Sequence, residues 1–231
     1  MYVYGKNSVN EVIKKNRKIK KAYIYKNFSD KSIISALQKL NISINYLEKF
    51  ELDKLAKVNH QGIILSVPDY KYCDIDIIKT IENPLVVILD HIEDPHNFGA
   101  IIRTCEAAKV DLIIIPRNRA VEVTDTVVRV SVGAIEGVNI AQVTNLVDTI
   151  NYLKKEGFWI VGTDMEGTNY SEIDYTGKTA IVIGNEGKGM SKLVKQNCDF
   201  VATIPMKGKI NSLNASVAAG IIIFEACKIR K

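Results

Sequence analysis

The stretch Leu85-Val-Val-Ile-Leu-Asp90 is an unbroken apolar run that ends in an acidic residue, and a polar loop and a helical segment follow it. Residues 112–116 and 180–184 form two more apolar runs of the same kind. Strands that are buried on both faces of a parallel sheet have this pattern, whereas strands with one solvated face alternate apolar and polar residues. Helical stretches separate the runs, so the sequence predicts an α/β domain with a parallel sheet.

Outward from this core, further strands and helices alternate along the chain. The predicted strands cover residues 85–90, 112–116, 139–143, 158–163, 180–184 and 200–205, and the predicted helices cover residues 100–109, 124–137, 146–156, 191–197 and 214–229. The last helix is apolar on nearly every side, which predicts that it is buried.

The residues before this domain alternate helical and strand-like pieces on a smaller scale. Helical segments are predicted at residues 8–14 and 31–40, and strand-like segments at residues 21–25 and 62–67. The sequence around residues 70–76 is polar and aromatic, as in a linker. We therefore predict a small α/β domain over residues 1–70, a linker over residues 71–83 and the larger domain over residues 84–231.

Positive charge is concentrated at the start of the chain. Residues 1–60 carry 13 Lys and Arg against 5 Asp and Glu, whereas the remaining residues carry 18 against 21. A basic segment before a near-neutral body favours contact with a polyanion, of which nucleic acid is the common one, although a solvated surface gives the same pattern.

Composition excludes several classes of protein. With 47% hydrophobic and 25% charged residues, the chain has ordinary globular usage. No apolar run approaches the roughly 20 residues that span a bilayer, and no secretory signal is visible. We expect a cytoplasmic protein without membrane contact, whose four widely spaced cysteines are reduced thiols.

Three loops that follow predicted strands are rich in Gly, Asn and Ser. They cover residues 91–100, 184–190 and 206–216, and ligands of open parallel sheets bind where such loops leave the strands. The glycines from Gly184 have the spacing GxxGxG, so the dinucleotide motif GxGxxG is absent, as are the P-loop and GxSxG motifs. The three histidines fit no zinc spacing, so no metal site is expected, and each is either structural or a contact to substrate: His60, His91 and His96.

The same loops resemble the three motifs of a known family. Asn97-Phe-Gly-Ala-Ile-Ile-Arg103, Ile183-Gly-Asn-Glu-Gly-Lys-Gly189 and Ile204-Pro-Met followed by Ser212-Leu-Asn-Ala-Ser216 are similar, in this order, to motifs of the SpoU (TrmH) family of RNA ribose 2′-O-methyltransferases. The segment Tyr4-Gly-Lys-Asn-Ser-Val-Asn-Glu11 and His60-Gln-Gly-Ile63 resemble the small ribosomal-protein-like, RNA-binding domain of one branch. That branch methylates a guanosine in the peptidyl-transferase loop of 23S ribosomal RNA.

The resemblance implies more than a reaction. It implies a SPOUT-type catalytic domain with a C-terminal trefoil knot, S-adenosylmethionine as the cofactor, RNA and not DNA as the partner, and a homodimer through the C-terminal domain. Two alternatives stay open at this point. The substrate could be transfer RNA, or the chain could be an RNA-binding protein that has lost catalysis.

The resemblance also implies the site residues. The cofactor-binding residues are Thr163, Gly184, Ile204, Met206 and Leu213, and the catalytic residues are Arg103, Asn97, Glu186, Ser212 and Asn214. In this interpretation Asn97 fixes Arg103 and its loop, Glu186 orients Arg103 or nearby amides, and Ser212 and Asn214 hold the substrate loop. The alternative for Asn97 and Ser212 is that they cap helices.

Arg103 is the residue expected to act in the chemistry, in one of two ways. A guanidinium stays protonated at ordinary pH, so we favour a clamp that grips the target phosphate and stabilises the developing alkoxide. A phosphate oxygen or water then takes the proton. The alternative is that a neutral Arg103 acts as the base.

Overall fold

The chain divides into two compact units in the computed structural model, which describes residues 1–209 and 212–230. The N-terminal unit consists of Met1–Lys71 and Val123–Gly137, and the C-terminal unit consists of Tyr72–Glu122 and Val138–Lys231. Each unit is therefore built from two separate pieces of sequence.

The N-terminal unit contains a four-stranded mixed sheet with the order β1-β4-β2-β3, in which only the β2–β3 pair is parallel. Its elements are β1 (Tyr2–Tyr4), α1 (Lys6–Lys14), β2 (Lys21–Tyr25), α2 (Lys31–Lys39), β3 (Ile44–Leu47), α3 (Lys49–Leu55) and β4 (Ile63–Ser66). The sequence did not predict β1, β3 or α3. A reciprocal pair of side-chain contacts between Glu48 and Glu51 defines the start of α3.

Residues 123–137 pack with the N-terminal unit, although the sequence placed them in the larger domain. The backbone N–H of Tyr2 donates to Asp125 Oδ1 at 2.9 Å, and Arg17 forms an ion pair with Glu136. The single helix predicted here is divided into α5 (Asp125–Val130) and a 3-10 helix (Ala134–Gly137). Gly133 separates them at φ +90°, and a Cβ there would lie 2.5 Å from Glu11 Cγ.

The C-terminal unit contains the predicted parallel sheet, with the order β10-β8-β9-β5-β6-β7 and parallel pairing throughout. The strands are β5 (Leu85–Asp90), β6 (Leu112–Pro116), β7 (Ile140–Val143), β8 (Trp159–Asn169), β9 (Thr179–Gly184) and β10 (Phe200–Thr203). Every residue of β5 and β6 is buried, as their unbroken apolar sequence predicts. The knot that the resemblance implies stays a prediction.

Residues 72–83, most of the predicted linker, pack on this sheet. Cys73 donates its backbone N–H to Ile140 O at 2.9 Å, alongside β7. A 3-10 helix (Ile75–Thr80) follows, and its Ile78 is buried in the core of the C-terminal unit. The polar and aromatic composition hid this contribution, since the residues that anchor the segment, which also include Ile75 and Ile77, are interspersed with polar ones.

The helices of the C-terminal unit are α4 (Pro95–Ala107), α6 (Leu146–Lys155), α7 (Lys192–Gln196) and α8 (Ala215–Ile229). Helix α4 begins five residues earlier than predicted because Asp94 caps it, accepting from the N–H groups of His96 at 3.0 Å and Asn97 at 3.3 Å. No helix in the described ranges is long and apolar enough to cross a bilayer.

Helix α8 is buried on one side only, which corrects the prediction that it is buried all round. Ala219 and Ile223 are buried, and Cys227 donates its thiol hydrogen to Ala108 O at 2.9 Å. On the other side, Val217 is 50% exposed and Phe224 is 52% exposed. The apolar side chains of Val217 and Phe224 on α8 are thus left uncovered by the residues that the structure describes.

Candidate functional site

The three motif loops leave the sheet at one edge. Strand β5 pairs with β9, β9 pairs with β8, and β8 pairs with β10, all in parallel. The carboxyl ends of these strands therefore point the same way, and the loops after β5, β9 and β10 follow them there. This edge is where open parallel sheets bind ligands.

Asn97 joins the three loops through its side-chain amide. Its Nδ2 donates to Glu186 Oε1 at 2.6 Å, and its Oδ1 accepts from Asn214 Nδ2 at 2.8 Å. Asn97 is only 8% exposed, whereas Glu186 and Asn214 are exposed. One residue from each motif thus meets in a single hydrogen-bonded chain.

The capping alternatives are resolved by the same geometry. Asp94 caps α4, so Asn97 is free to use its side chain across the site. Helix α8 is capped by Asn214, whose Oδ1 accepts from the N–H of Ser216 at 2.9 Å. Ser212 is exposed, two residues before that cap. The loop between Lys209 and Ser212 lies outside the described residues.

Asn185, which the sequence did not single out, shapes the loop after β9. It exchanges backbone hydrogen bonds with Gly189, and its Oδ1 accepts from the N–H of Gly187 at 3.0 Å. Its Nδ2 donates to the carbonyl of His91 at 2.7 Å, tying this loop to the one after β5. Gly184 is required because a Cβ there would lie 2.5 Å from backbone atoms of Gly189 and Met190.

Asp90 and His91 form a second feature of this edge that sequence reasoning left undecided. Asp90 is 1% exposed, and its Oδ1 lies 2.5 Å from Nδ1 of His91. Its other oxygen, Oδ2, accepts from the N–H of Ser191 at 2.6 Å. The buried carboxylate thus has a partner on each oxygen, as a buried charge requires.

Arg103 is exposed on α4, and its side chain makes no hydrogen bond or ion pair with any residue that the structure describes. Asn97 contacts Glu186 and Asn214 rather than Arg103, so the expected fixing of Arg103 by Asn97 or Glu186 is not seen. Six residues separate the two along α4, which places them about 120° apart around the helix. The guanidinium is therefore available to a ligand.

The residues expected to bind the cofactor lie on adjacent strands and loops. Thr163, in β8, donates its hydroxyl to the carbonyl of Val182 in β9 at 2.9 Å. Ile204 and Leu213 are half-buried and Met206 is 39% exposed. The backbone of residues 204–209 makes no hydrogen bond to another described residue, so its polar groups can serve a ligand.

No group of three or more His, Cys, Asp or Glu side chains that could hold a metal ion occurs among residues 1–209 and 212–230.

Two family models match the chain. Residues 84–224 match the SpoU rRNA Methylase family, and residues 2–73 match the RNA 2′-O ribose methyltransferase substrate binding family. The first match spans more than half of the chain and includes all three motif loops.

Relatives match along nearly the whole length. A Bacillus subtilis protein named as a TrmH family tRNA/rRNA methyltransferase is 42% identical over 99% of this chain and 96% of its own. A Staphylococcus aureus protein with the same family name is 42% identical over 99% of this chain and 96% of its own.

Solved structures share the fold. The SpoU methyltransferase AviRb from Streptomyces viridochromogenes, in complex with the cofactor AdoMet, superimposes with a TM-score of 0.84 at 26% identity, covering 100% of this chain and 90% of that one. A TrmH/SpoU tRNA modifying enzyme of A. aeolicus gives a TM-score of 0.58 at 36% identity, covering 64% of this chain and 78% of that one.

Proposed function

Because the chain belongs to the SpoU family of RNA methyltransferases, we propose that it transfers a methyl group from S-adenosylmethionine to a ribose 2′-hydroxyl of RNA. We propose further that the target is a guanosine in the peptidyl-transferase loop of 23S ribosomal RNA. The observation that carries the proposal is the hydrogen-bonded chain of Glu186, Asn97 and Asn214, which brings the three motif loops together.

The chemistry of the loop residues fits S-adenosylmethionine. An adenosyl group is flat and largely apolar, with polar edges that backbone groups can satisfy. Ile204, Met206 and Leu213 offer apolar side chains, and the backbone of residues 204–209 offers polar groups that no other described residue binds. Gly184 and Thr163 complete the pocket on the adjacent strands. When bound, the cofactor supplies an electrophilic methyl group.

Arg103 is the group that meets the RNA at the reacting ribose. Its guanidinium is exposed and unpaired among the described residues, and a planar fork of donors suits a phosphate. A positive charge there stabilises the alkoxide that develops as the 2′-hydroxyl loses its proton. Asn97, Glu186 and Asn214 act as a support that holds the loops around that ribose, and Ser212 lies beside the same loop.

The N-terminal unit supports a large structured RNA as the substrate. Its first 60 residues carry the excess of positive charge, and its exposed lysines include Lys14, Lys15 and Lys18 on and after α1. Phosphate contacts by such lysines supply affinity without reading sequence. Residues 2–73 also match a substrate-binding family model.

A homodimer through the C-terminal unit is supported by α8. Val217, Ile221 and Phe224 have helical spacing on one side of it, and the first and last are half exposed. An exposed apolar stripe of this kind favours burial against a second copy. Residues 134–138 are a second candidate for this contact, but Ile135 and Val138 are already buried within the chain.

The alternatives give different substrates or no reaction. The relatives' names include both tRNA and rRNA, and the tRNA modifying enzyme of A. aeolicus covers only 64% of this chain. The description of the matched methylase family names rRNA, which favours ribosomal RNA. Retention of Arg103, Asn97 and Glu186 argues against lost catalysis.

Mass-spectrometric mapping of 2′-O-methyl groups tests the proposal. Ribosomal and transfer RNA are each incubated with the protein and labelled S-adenosylmethionine. We expect one labelled guanosine in 23S ribosomal RNA. Label only in transfer RNA would replace the substrate, and no label in either RNA would contradict the enzymatic function.

A further inference from the structure

The pair formed by Asp90 and His91 has no role in the reaction as described so far. It lies where β5 ends, at the edge of the sheet that carries the motif loops. Asp90 is buried and bonded on both oxygens, by His91 Nδ1 at 2.5 Å and by the N–H of Ser191 at 2.6 Å. The carboxylate is therefore fixed, and it fixes the imidazole in turn.

His91 occupies a backbone conformation that histidine rarely adopts. Its φ is +58°, in the left-handed region that favours glycine. The carbonyl of the same residue accepts a hydrogen bond from Asn185 Nδ2 at 2.7 Å, which holds the loop in this conformation. Strained residues that the surroundings hold in place are concentrated at functional sites. A glycine would relieve the strain, so the backbone conformation does not itself require a histidine.

The geometry determines which nitrogen of His91 is free. A carboxylate can only accept, so Nδ1 carries the hydrogen that points at Asp90 Oδ1. The neutral ring then has a lone pair on Nε2, which has no partner among the described residues. The side chain is 28% exposed, so a ligand can reach it. A carboxylate behind an imidazole in this way stabilises the imidazolium that forms when Nε2 takes a proton.

His91 is connected to the site through the loop after β9. Asn185 contacts the carbonyl of His91, and the next residue, Glu186, is bonded to Asn97. The reaction needs a proton acceptor at this edge, and a guanidinium group ordinarily does not act as one.

We propose that Nε2 of His91 accepts the proton of the ribose 2′-hydroxyl during methyl transfer. This inference rests on the proposed function. The O–H bond breaks and its proton goes to Nε2, while the oxygen forms a bond to the methyl carbon. The bond from that carbon to the sulfonium sulfur breaks, and its electron pair stays on sulfur. The imidazolium afterwards releases the proton to water.

Other titratable groups occur on the elements next to the pair. They are Glu93 and Asp94 before α4, Glu186 and Lys188 after β9, and Cys198 after α7. Burial, with a smaller contribution from Asp90, raises the pKa of the Cys198 thiol to about 11. Imidazole is the side chain that ordinarily changes charge between about pH 5 and 8. A difference in the pH profile of methyl transfer between wild type and the His91 variants therefore reports on His91.

The decisive variants keep the backbone and remove the base. His91→Gly suits the positive φ, and His91→Asn tolerates it and keeps a polar side chain. Lys109→Gly is the matched control, because Lys109 also has a positive φ, of +52°, and lies beyond the other end of α4. Unfolding midpoints of all three check that the fold is kept.

We expect both His91 variants to lose methyl transfer by roughly a hundredfold or more, and their pH profiles to differ from that of wild type. Added imidazole restores part of the activity of His91→Gly, and Lys109→Gly stays active. Nitrogen-15 NMR of wild-type protein without ligands provides an independent readout. We expect the hydrogen of neutral His91 on Nδ1.

If wild type is active and His91→Gly is equally active, the assignment of His91 as the proton acceptor is wrong, and the proposed function is unaffected. A hydrogen found on Nε2 of neutral His91 would have the same consequence. Wild-type protein without any methyl transfer would contradict the proposed function and this inference with it.

Discussion

Asn97 donates a hydrogen bond to Glu186, 89 residues later in the chain, with 2.6 Å between Nδ2 and Oε1. Because its Oδ1 accepts from Asn214 at 2.8 Å, the amide uses its two ends for two different loops. A carboxylate could not donate and an ammonium could not accept, whereas the amide of Asn97 does both. The relationship makes Asn97 the support of the site rather than a residue that must touch the RNA.

Asn97→Asp tests that support. The change preserves shape but places a carboxylate against Glu186, and two adjacent carboxylates repel. We expect the free energy of unfolding to fall by about 1–3 kcal/mol, and methyl transfer to fall roughly tenfold or more. Adding Glu186→Gln restores a donor between the two positions. Thermal unfolding and transfer rates should both recover in the double variant, and a double variant no better than Asn97→Asp would contradict the role.

Arg103→Lys distinguishes the two roles considered for Arg103, a clamp that grips the phosphate and a general base. Lysine keeps the charge and loses a proton more readily than arginine, but it cannot form a two-pronged contact with phosphate. We expect Arg103→Lys to be nearly as inactive as Arg103→Ala at every pH, while both variants still bind S-adenosylmethionine. Rates from pH 6 to 10 and calorimetry measure this. A lysine variant with substantial activity that rises steeply with pH would favour the base.

Cofactor binding should depend on Gly184 and not on metal. A Cβ at Gly184 would lie 2.5 Å from the backbone of Gly189, which cannot move cheaply. We expect S-adenosylmethionine to bind with unchanged affinity in chelator, and Gly184→Ala to bind far more weakly. Gly187→Ala is the comparison in the same loop, since a Cβ there meets only Asn185 Oδ1 at 3.8 Å. Calorimetry decides, and binding that disappears in chelator would require a metal.

Phe224→Asp should dissociate the proposed homodimer. Phe224 is half exposed on the apolar side of α8, and a buried unpaired carboxylate at an interface is costly. We expect wild type at micromolar concentration to sediment with twice the mass of the chain, and the variant to sediment as a monomer. Leu40→Asp, in the N-terminal unit, changes a residue of similar exposure and should stay dimeric. Monomeric wild type would refute the assembly.

RNA affinity should depend on lysines of the N-terminal unit. In the test variant Lys15 and Lys18 are both changed to Glu; both are exposed and neither forms an ion pair with a described residue. The control variant carries the same change at Lys155 and Lys192, two exposed lysines of the C-terminal unit. We expect the first variant to lose affinity for 23S ribosomal RNA roughly tenfold or more and to have a weaker salt dependence. Equal losses of RNA affinity in the two variants would show that only the net charge of the protein matters, and not the position of the lysines.

Burial on both faces explains which parts of the fold were predictable. The observed bounds of β5 and β6 are those predicted. An unbroken apolar run of this length is typical of a strand that is buried on both faces of a parallel sheet. Strands β1 and β3 are three and four residues long, too short for a periodic pattern. Strand β1 also depends on β4, about 60 residues away, for its hydrogen bonds.

The site divides in the same way. The residues that carry motifs, Asn97, Glu186 and Asn214, were named from sequence and lie together. The side chain of Asn185 binds the backbone carbonyl of His91, a contact that no motif indicates. The pairing of Asp90 with His91 accompanies the positive φ of His91, which a sequence does not display. Such contacts arise only once the strands have aligned their ends.

The order of synthesis gives residues 123–137 a further consequence. The ribosome completes β5 and β6 of the C-terminal unit before it makes Asp125 and Glu136, the partners of Tyr2 and Arg17 in the N-terminal unit. The first unit to emerge therefore lacks these partners until residue 137 has left the exit tunnel, when about a third of the other unit, Tyr72–Glu122, has been made. Because each unit consists of two separate pieces of sequence, neither can be transplanted as one uninterrupted segment.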